Sequence, residues 1–180
     1  MEKIPIGVSS CLLGNKVRYD GGHKHDQYIT GTLGLFFQWV PVCPEVECGL
    51  PTPREAMRLI DSNRGPRLVT RKTGLDHTDM MSSWASQKLN ELREHDLCGF
   101  IFKSRSPSSG MERVKLYNSQ SGMPVGTASG IFAAAFMENF PQIPVEEEGR
   151  LHDPVLRENF IDRVFTLRRW RSASRAPLNA

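Results

Sequence analysis

A single Rossmann-like α/β domain, with a mostly parallel sheet and helices on both of its faces, is what this sequence predicts, and three observations carry the prediction. Ile4 to Val8 and Val40 to Cys43 are apolar runs of strand length, and each ends at a cysteine. Helix-like stretches fall between such runs, the alternation that builds parallel sheets. The last of them is the clearest: Asp153 is placed to cap it, Pro154 fits its first turn, and Leu156, Phe160, Val164 and Leu167 recur every three or four residues.

Taken in order, Ile4 to Val8 predicts the first strand. Tyr28 to Trp39, with Leu33, Leu35, Phe36 and Phe37, predicts a helix despite Gly31 and Gly34, and Val40 to Cys43 a second strand. Residues 49–66 hold three prolines and two glycines, which predicts a long loop with at most one helical turn around Glu55 to Leu59. Arg67 to Thr70 reads as a short edge strand. Asp79 to His95 reads as a helix along Met80, Trp84 and Leu92, with Thr78 or Asp79 as its cap. Leu97 to Phe102 is a central strand, and Val114 to Tyr117 a brief extension. Gly126 to Phe140 is an alanine-rich helix, and Ile143 to Val145 the last strand. After Trp170 the periodicity stops, so the domain is expected over residues 1–170 and a basic tail or interdomain linker over 171–180.

The chain has 180 residues, enough for one self-sufficient core without disulfides. Apolar residues make up 39% and charged residues 24%, and no apolar run approaches the roughly 20 residues that cross a bilayer, so no membrane partner is expected. The start is too short in apolar residues for a secretory signal, which predicts a cytoplasmic protein. Four cysteines at this length and spacing read as free thiols, metal ligands or catalytic groups. A net charge of +3 permits a polyanionic partner without requiring one.

In parallel sheets ligands bind beyond the carboxyl ends of the strands. Three polar, glycine-containing loops follow expected strands here: SSCLLGNKVRYDGGHK, CPEVECGLPTPRE and KSRSPSSGMER. Cys11 and Cys43 stand in equivalent places at two strand ends, which argues for a shared site more than for two small buried hydrophobes. Cys48, five residues after Cys43, gives a spacing that is weak for metal by itself, and Cys98 inside an apolar strand reads as structural. Glu45, held behind Pro44, lies close to any ligand at the cysteines. Arg18, Tyr19 and Asp20, ahead of two glycines, suit a polar ligand or form a turn with an internal Arg18–Asp20 pair. The serines after the central strand offer hydroxyls and loop N–H groups to an anion or carbonyl, with Arg105 and Arg113 adding charge. No P-loop, GxGxxG, HExxH or GxSxG pattern is present. The residues alone reach a small-molecule or nucleotide-fragment site with cysteine chemistry, and no particular reaction.

The segments SSCLLGNKVRYDGGHK, PVCPEVECGLPTPREAMRL, GLDHT and KSRSPSSGMERVKLY resemble the thiouracil desulfidase family, over Ile4 to about Trp170. The ending GRLHDPVLRENFIDRVF looks most like members fused to a second C-terminal domain that act on 4-thiouridine in tRNA. The resemblance implies a [4Fe-4S] cluster on three cysteines with one open iron that takes a thiocarbonyl sulfur, water replacing sulfur without net redox change. It implies a thiolated uracil base, nucleoside or tRNA as partner. By motif position, Cys11 and Cys43 match two cluster ligands, Glu45 the family's proton-transfer acid, and Ser106 the serine that orients substrate or water. Ser9, Ser10, Arg18, Tyr19, Asp20 and Ser108 are the expected substrate contacts.

The chain departs from the family pattern at two places. Ser109 stands where the family has its third cluster cysteine, and serine is a hard, weakly acidic donor. An introduced Cys→Ser change, a natural variant with altered ligation, and rescue by Cys48 or Cys98 are the three readings; the intact neighbouring motif favours the first. Val17 stands where many members carry a cysteine outside the ligand set. Two rival functions remain: a nucleotide- or tRNA-binding domain whose cluster is lost, and a thiol redox protein pairing Cys43 with Cys48 or Cys11.

Overall fold

The structure, a computed structural model, describes residues 2–175. Four parallel strands form the central sheet: β1 (Ile4–Ser9), β2 (Phe37–Val42), β5 (Phe100–Phe102) and β8 (Val145–Glu147), in the order β2-β1-β5-β8. The chain first moves to one side of β1 and later returns to the other. That reversal opens a crevice beyond the strand ends, where Ser9, Cys43 and Lys103 emerge.

Strand alternation distributes the core to two faces. Ile4, Ile6, Val8 and Ile101 point to the side covered by α4 (Pro154–Arg175), where they meet Phe160 and Val164. Phe100 and Phe102 point the other way, onto Leu89 and Leu92 of α2 (Thr78–Arg93) and Phe132 and Phe136 of α3 (Ile131–Asn139). Gly7 makes room for this second layer: a Cβ there would lie 2.2 Å from the Phe100 ring. Helices on both faces of a parallel sheet are therefore realised in one domain.

A second sheet, absent from the sequence-based expectation, lies between β2 and β8 in the chain. Its order is β4-β3-β6-β7, from β3 (Met57–Ile60), β4 (Arg67–Thr70), β6 (Val114–Tyr117) and β7 (Pro124–Ala128), with β3 and β6 parallel and both outer pairs antiparallel. Leu59, Leu68 and Val114 turn one face of it onto Met81 of α2.

Several expected elements are corrected. The helix over Tyr28 to Trp39 is a π turn (Tyr28–Thr32) and a 3-10 turn (Leu33–Leu35), after which Phe37 already belongs to β2. Pairing of Phe37 with Ile4 outcompetes a helix interrupted by two glycines. Of the turn expected around Glu55 to Leu59, Met57 to Leu59 belong instead to β3, and residues 126–128 of the expected alanine-rich helix belong to β7. Thr78 does not cap α2 with its side chain; its hydroxyl accepts from the Leu68 N–H at 2.8 Å, and Asp76 accepts from the Thr78 N–H at 2.9 Å. Asp153 does cap α4, accepting from the N–H groups of Val155 and Leu156 at 2.9 and 3.1 Å. Helix α4 continues through residues 171–175, where no periodicity was expected, and residues 176–180 lie outside the described residues.

Candidate active site

A cavity of about 360 Å³ lies at the carboxyl ends of β1, β2 and β5. Ser9, Ser10, Cys11, Cys43, Glu45, Ser106 and Ser109 all line it, so all three expected loops meet there. Arg18 and Tyr19 also face it. Asp20 does not: it is exposed, pairs with Arg18 at 3.5 Å and accepts from the Gly22 N–H at 3.0 Å, the internal turn pair that its spacing allowed. Ser108 lies fully buried behind the wall and reaches the site through Glu45.

Local chemistry fixes the two cysteines. Cys43 precedes the short α1 (Pro44–Glu47), and its N–H donates to Glu47 Oε1 at 2.8 Å, which satisfies a donor at the helix start. Cys11 lies in a 3-10 turn (Ser10–Leu13) closed by Gly14 at φ +93°, a conformation glycine adopts without strain. Both thiols are held protonated. Burial pushes Cys11 up to about 11, partly offset by the Lys103 and Arg18 charges, and pushes Cys43 up to about 12, with the Glu45 carboxylate adding to the rise.

The serine loop is braced from two sides. Gly130 sits so close under it that a Cβ would lie 2.5 Å from the Ser108 backbone. The first N–H groups of α3 donate to its carbonyls, Phe132 to Ser108 at 2.8 Å and Ile131 to Pro107 at 3.2 Å. From just past β8, Glu148 accepts from the Ser104 N–H at 2.7 Å and pairs with Lys103. A hydroxyl chain then crosses the site: Ser109 Oγ donates to Ser106 Oγ at 3.2 Å, Ser106 and Ser108 hydroxyls lie 3.0 Å apart, and Ser108 Oγ donates to Glu45 Oε1 at 2.5 Å. The other Glu45 oxygen stands 3.6 Å from Cys43 Sγ and 3.9 Å from Arg54 Nη2. One carboxylate thus links a thiol, a guanidinium and three hydroxyls.

Arg54 was missed in the sequence, where it sits in a proline-rich loop. Its side chain is 7% exposed, lines the cavity, and leaves a buried Nε with no acceptor among the described residues; Arg18 Nε is buried too, with Asp20 Oδ1 at 3.5 Å. The signal was present in its place directly after Thr52-Pro53, on the same expected loop as Glu45.

Neither Cys48 nor Cys98 lines the cavity. Cys48 Sγ turns to the Glu45 carbonyl at 3.3 Å, and Cys98 lies before β5, at the opposite end of the sheet, near Asp96 and Arg171. Among the described residues no three His, Cys, Asp or Glu side chains gather to hold a metal ion. The donors on the cavity are two thiols and the Ser109 hydroxyl, one thiolate short of a three-thiolate cluster site.

Known proteins agree with this architecture. A solved structure titled [4Fe-4S]-dependent thiouracil desulfidase TudS superposes with a TM-score of 0.65 at 31% identity, over 88% of this chain and 99% of that one. The uncharacterized protein YbbK of Bacillus subtilis (strain 168) is 30% identical over 148 residues, 79% of this chain and 96% of the relative. The profile of the 2-thiouracil desulfurase family matches residues 6–148, and the chain belongs to that family.

Proposed function

We propose that the cavity is a desulfidation site for thiolated uracil, as base, nucleoside or tRNA residue, and that it exchanges thiocarbonyl sulfur for the oxygen of water. The overall reaction, C=S plus water to C=O plus hydrogen sulfide, moves no net electrons. The observation that carries this reading is the convergence of Cys11, Cys43 and Glu45 on one cavity, together with the family match and the solved relative's title. In this reading Glu45 takes a proton from the attacking water and returns one to the departing sulfur, which its contact with both a hydroxyl chain and a thiol suits. Ser106 orients water or substrate, and Arg54 Nε, which has no acceptor among the described residues, is a donor for ring oxygen or sulfur. Ser9, Ser10 and Tyr19 shape the ring's seat.

A [4Fe-4S] cluster would supply a soft Lewis acid for the sulfur. Cys11 and Cys43 are suited to hold it, and Ser109 is not, so no step is assigned to the cluster in the chain as it stands. The test is anaerobic reconstitution of this protein beside Ser109→Cys. Iron, labile sulfide and release of sulfide from 4-thiouridine or 2-thiouracil are expected to rise more than about a hundredfold in Ser109→Cys, the upper scale seen when groups supporting a metal site are lost. Colourless, inactive Ser109→Cys protein would count decisively against the proposal. In the same background Glu45→Gln is expected to lower kcat by about 10²- to 10⁴-fold with iron content unchanged.

A second reading, a binding domain without turnover, is favoured by one observation: the Ser109 hydroxyl is already engaged with Ser106. Ligand binding by Ser109→Cys protein that takes up no iron would support it.

A further inference from the structure

The two carboxylates of α1 leave the helix on different sides. Glu45 and Glu47 are two residues apart on a helix that turns about 100° per residue, so when Glu45 reaches the cavity Glu47 points away from it. Glu47 instead turns back on Cys43. Its Oε1 accepts from the Cys43 N–H at 2.8 Å, and its own N–H donates to the Cys43 carbonyl at 2.9 Å. One residue thus takes both backbone polar groups of the cysteine. The pairing of β2 with β1 ends at Val42, so these bonds hold Cys43 just beyond the ladder, where the strand gives way to the helix.

The other Glu47 oxygen lies 2.9 Å from Lys88 Nζ, which also stands 3.1 Å from Glu91. Lys88 belongs to α2, whose Leu89 and Leu92 share the core with Phe100 and Phe102 of the central sheet. The ion pair therefore ties Cys43 to a helix fixed by packing. The Lys88 side chain is 17% exposed, so the pair is partly shielded from water. On the cavity side, Cys43 Sγ stands 3.6 Å from Glu45 Oε2 and 3.9 Å from the Val17 carbonyl. A cysteine places its sulfur with a single side-chain torsion, so holding its backbone leaves the sulfur only a few staggered positions.

We propose that Glu47, held by Lys88, is a positioning residue of the site: it keeps the Cys43 sulfur in the cavity beside Glu45. Glu47 does not line the cavity and acts only through Cys43. The inference rests on the reading of the cavity as a desulfidation site, in which Cys43 is a working thiol. Removing the carboxylate leaves the N–H of a buried residue without its acceptor, a cost relieved when that N–H turns toward water. The sulfur turns with it.

Alkylation of each cysteine by iodoacetamide in the whole metal-free chain, under native conditions and read by peptide mass spectrometry, tests this. In Glu47→Ala, Cys43 is expected to react about tenfold faster or more than in the unsubstituted chain, with Cys11 within about twofold. Glu47→Gln keeps an acceptor for the N–H and is expected to hold the Cys43 rate within about threefold of the original. Lys88→Met removes only the ion pair, for which a rise of about two- to fivefold is expected. An unchanged Cys43 rate in Glu47→Ala, an equal rise at Cys11, or Glu47→Gln as reactive as Glu47→Ala would overturn the positioning role. If Glu47→Ala does not fold, Lys88→Met decides alone, and no rise at Cys43 overturns it. Sulfide release in the Ser109→Cys background separates this role from the reaction it serves. Cys43 reactivity that follows Glu47, with no sulfide released by any variant, upholds the positioning and removes the desulfidation reading. Sulfide release that Glu47→Ala leaves unchanged upholds that reading and removes the positioning.

Discussion

The two ends of the parallel sheet carry the same side chain in opposite circumstances. At the carboxyl end Cys43 is buried yet lines a cavity, with a carboxylate 3.6 Å from its sulfur. At the amino end Cys98 is fully buried under α4, where Arg171 Nη1 donates to the Asp96 carboxylate at 3.0 Å and the Leu97 carbonyl at 2.7 Å, and lies 3.8 Å from the Cys98 sulfur. Strand direction decides which thiol meets a ligand. Loops leaving β1, β2 and β5 diverge around a crevice, whereas the segment entering β5 is closed by a helix. Burial alone therefore says little about whether a cysteine is chemical or structural.

The sharpest way to break this comparison is substitution at both ends in the Ser109→Cys background. Cys43→Ser is expected to abolish iron retention and sulfide release, and Cys98→Ser to leave both within about twofold, because a site without direct contacts to the lost group behaves additively. Iron content and sulfide release measured side by side decide it. Equal loss from both variants would mean that the cavity is not where the thiols act.

Arg171→Ala sharpens the comparison from the other side. It removes hydrogen bonds from a charged group to Asp96 and Leu97, so a stability loss of about 1–3 kcal/mol is expected, with sulfide release unchanged at temperatures where the protein stays folded. For a chain of this size that is roughly 2–4 °C in Tm per kcal/mol, read by thermal unfolding.

How much of this was legible follows the same division. The cysteine-terminated strands, the serine loop and the capped last helix are visible because each is a local pattern: an apolar run, a turn composition, a 3.6-residue period. The second sheet as a unit was not: β4 was read as an edge strand and β6 as an extension, but β3 is four residues long, too short for alternation to stand out, and its MRLI follows a proline-rich loop that masks it. PVGTA at β7 is rich in small residues and runs into the alanines of α3, so only its pairing with β6 makes it a strand. The site divides in the same way. Cys11, Cys43 and Glu45 follow strand ends and could be read from order alone, whereas Arg54 enters from the proline-rich loop that leads into β3, a strand that sequence did not show.

The smallest expected effect concerns the thiols' protons. With Cys11 raised to about 11 and Cys43 to about 12, the folded metal-free protein holds these protons more tightly than the unfolded chain, whose thiols titrate near 9. Below that value both states carry the protons, and the thiols add no pH dependence. As pH rises past it, the unfolded chain releases protons that the fold retains, so stability is lost progressively toward pH 11–12. At pH 10 the loss is at most on the order of 1 kcal/mol per thiol. Chemical denaturation of the metal-free protein and of Cys43→Ala at pH 8 and pH 10 isolates it, with the gap between the two proteins expected to shrink at the higher pH. A gap that widens would mean that the cavity stabilises the Cys43 thiolate, and the cationic groups around it, Arg54 foremost, would then outweigh burial.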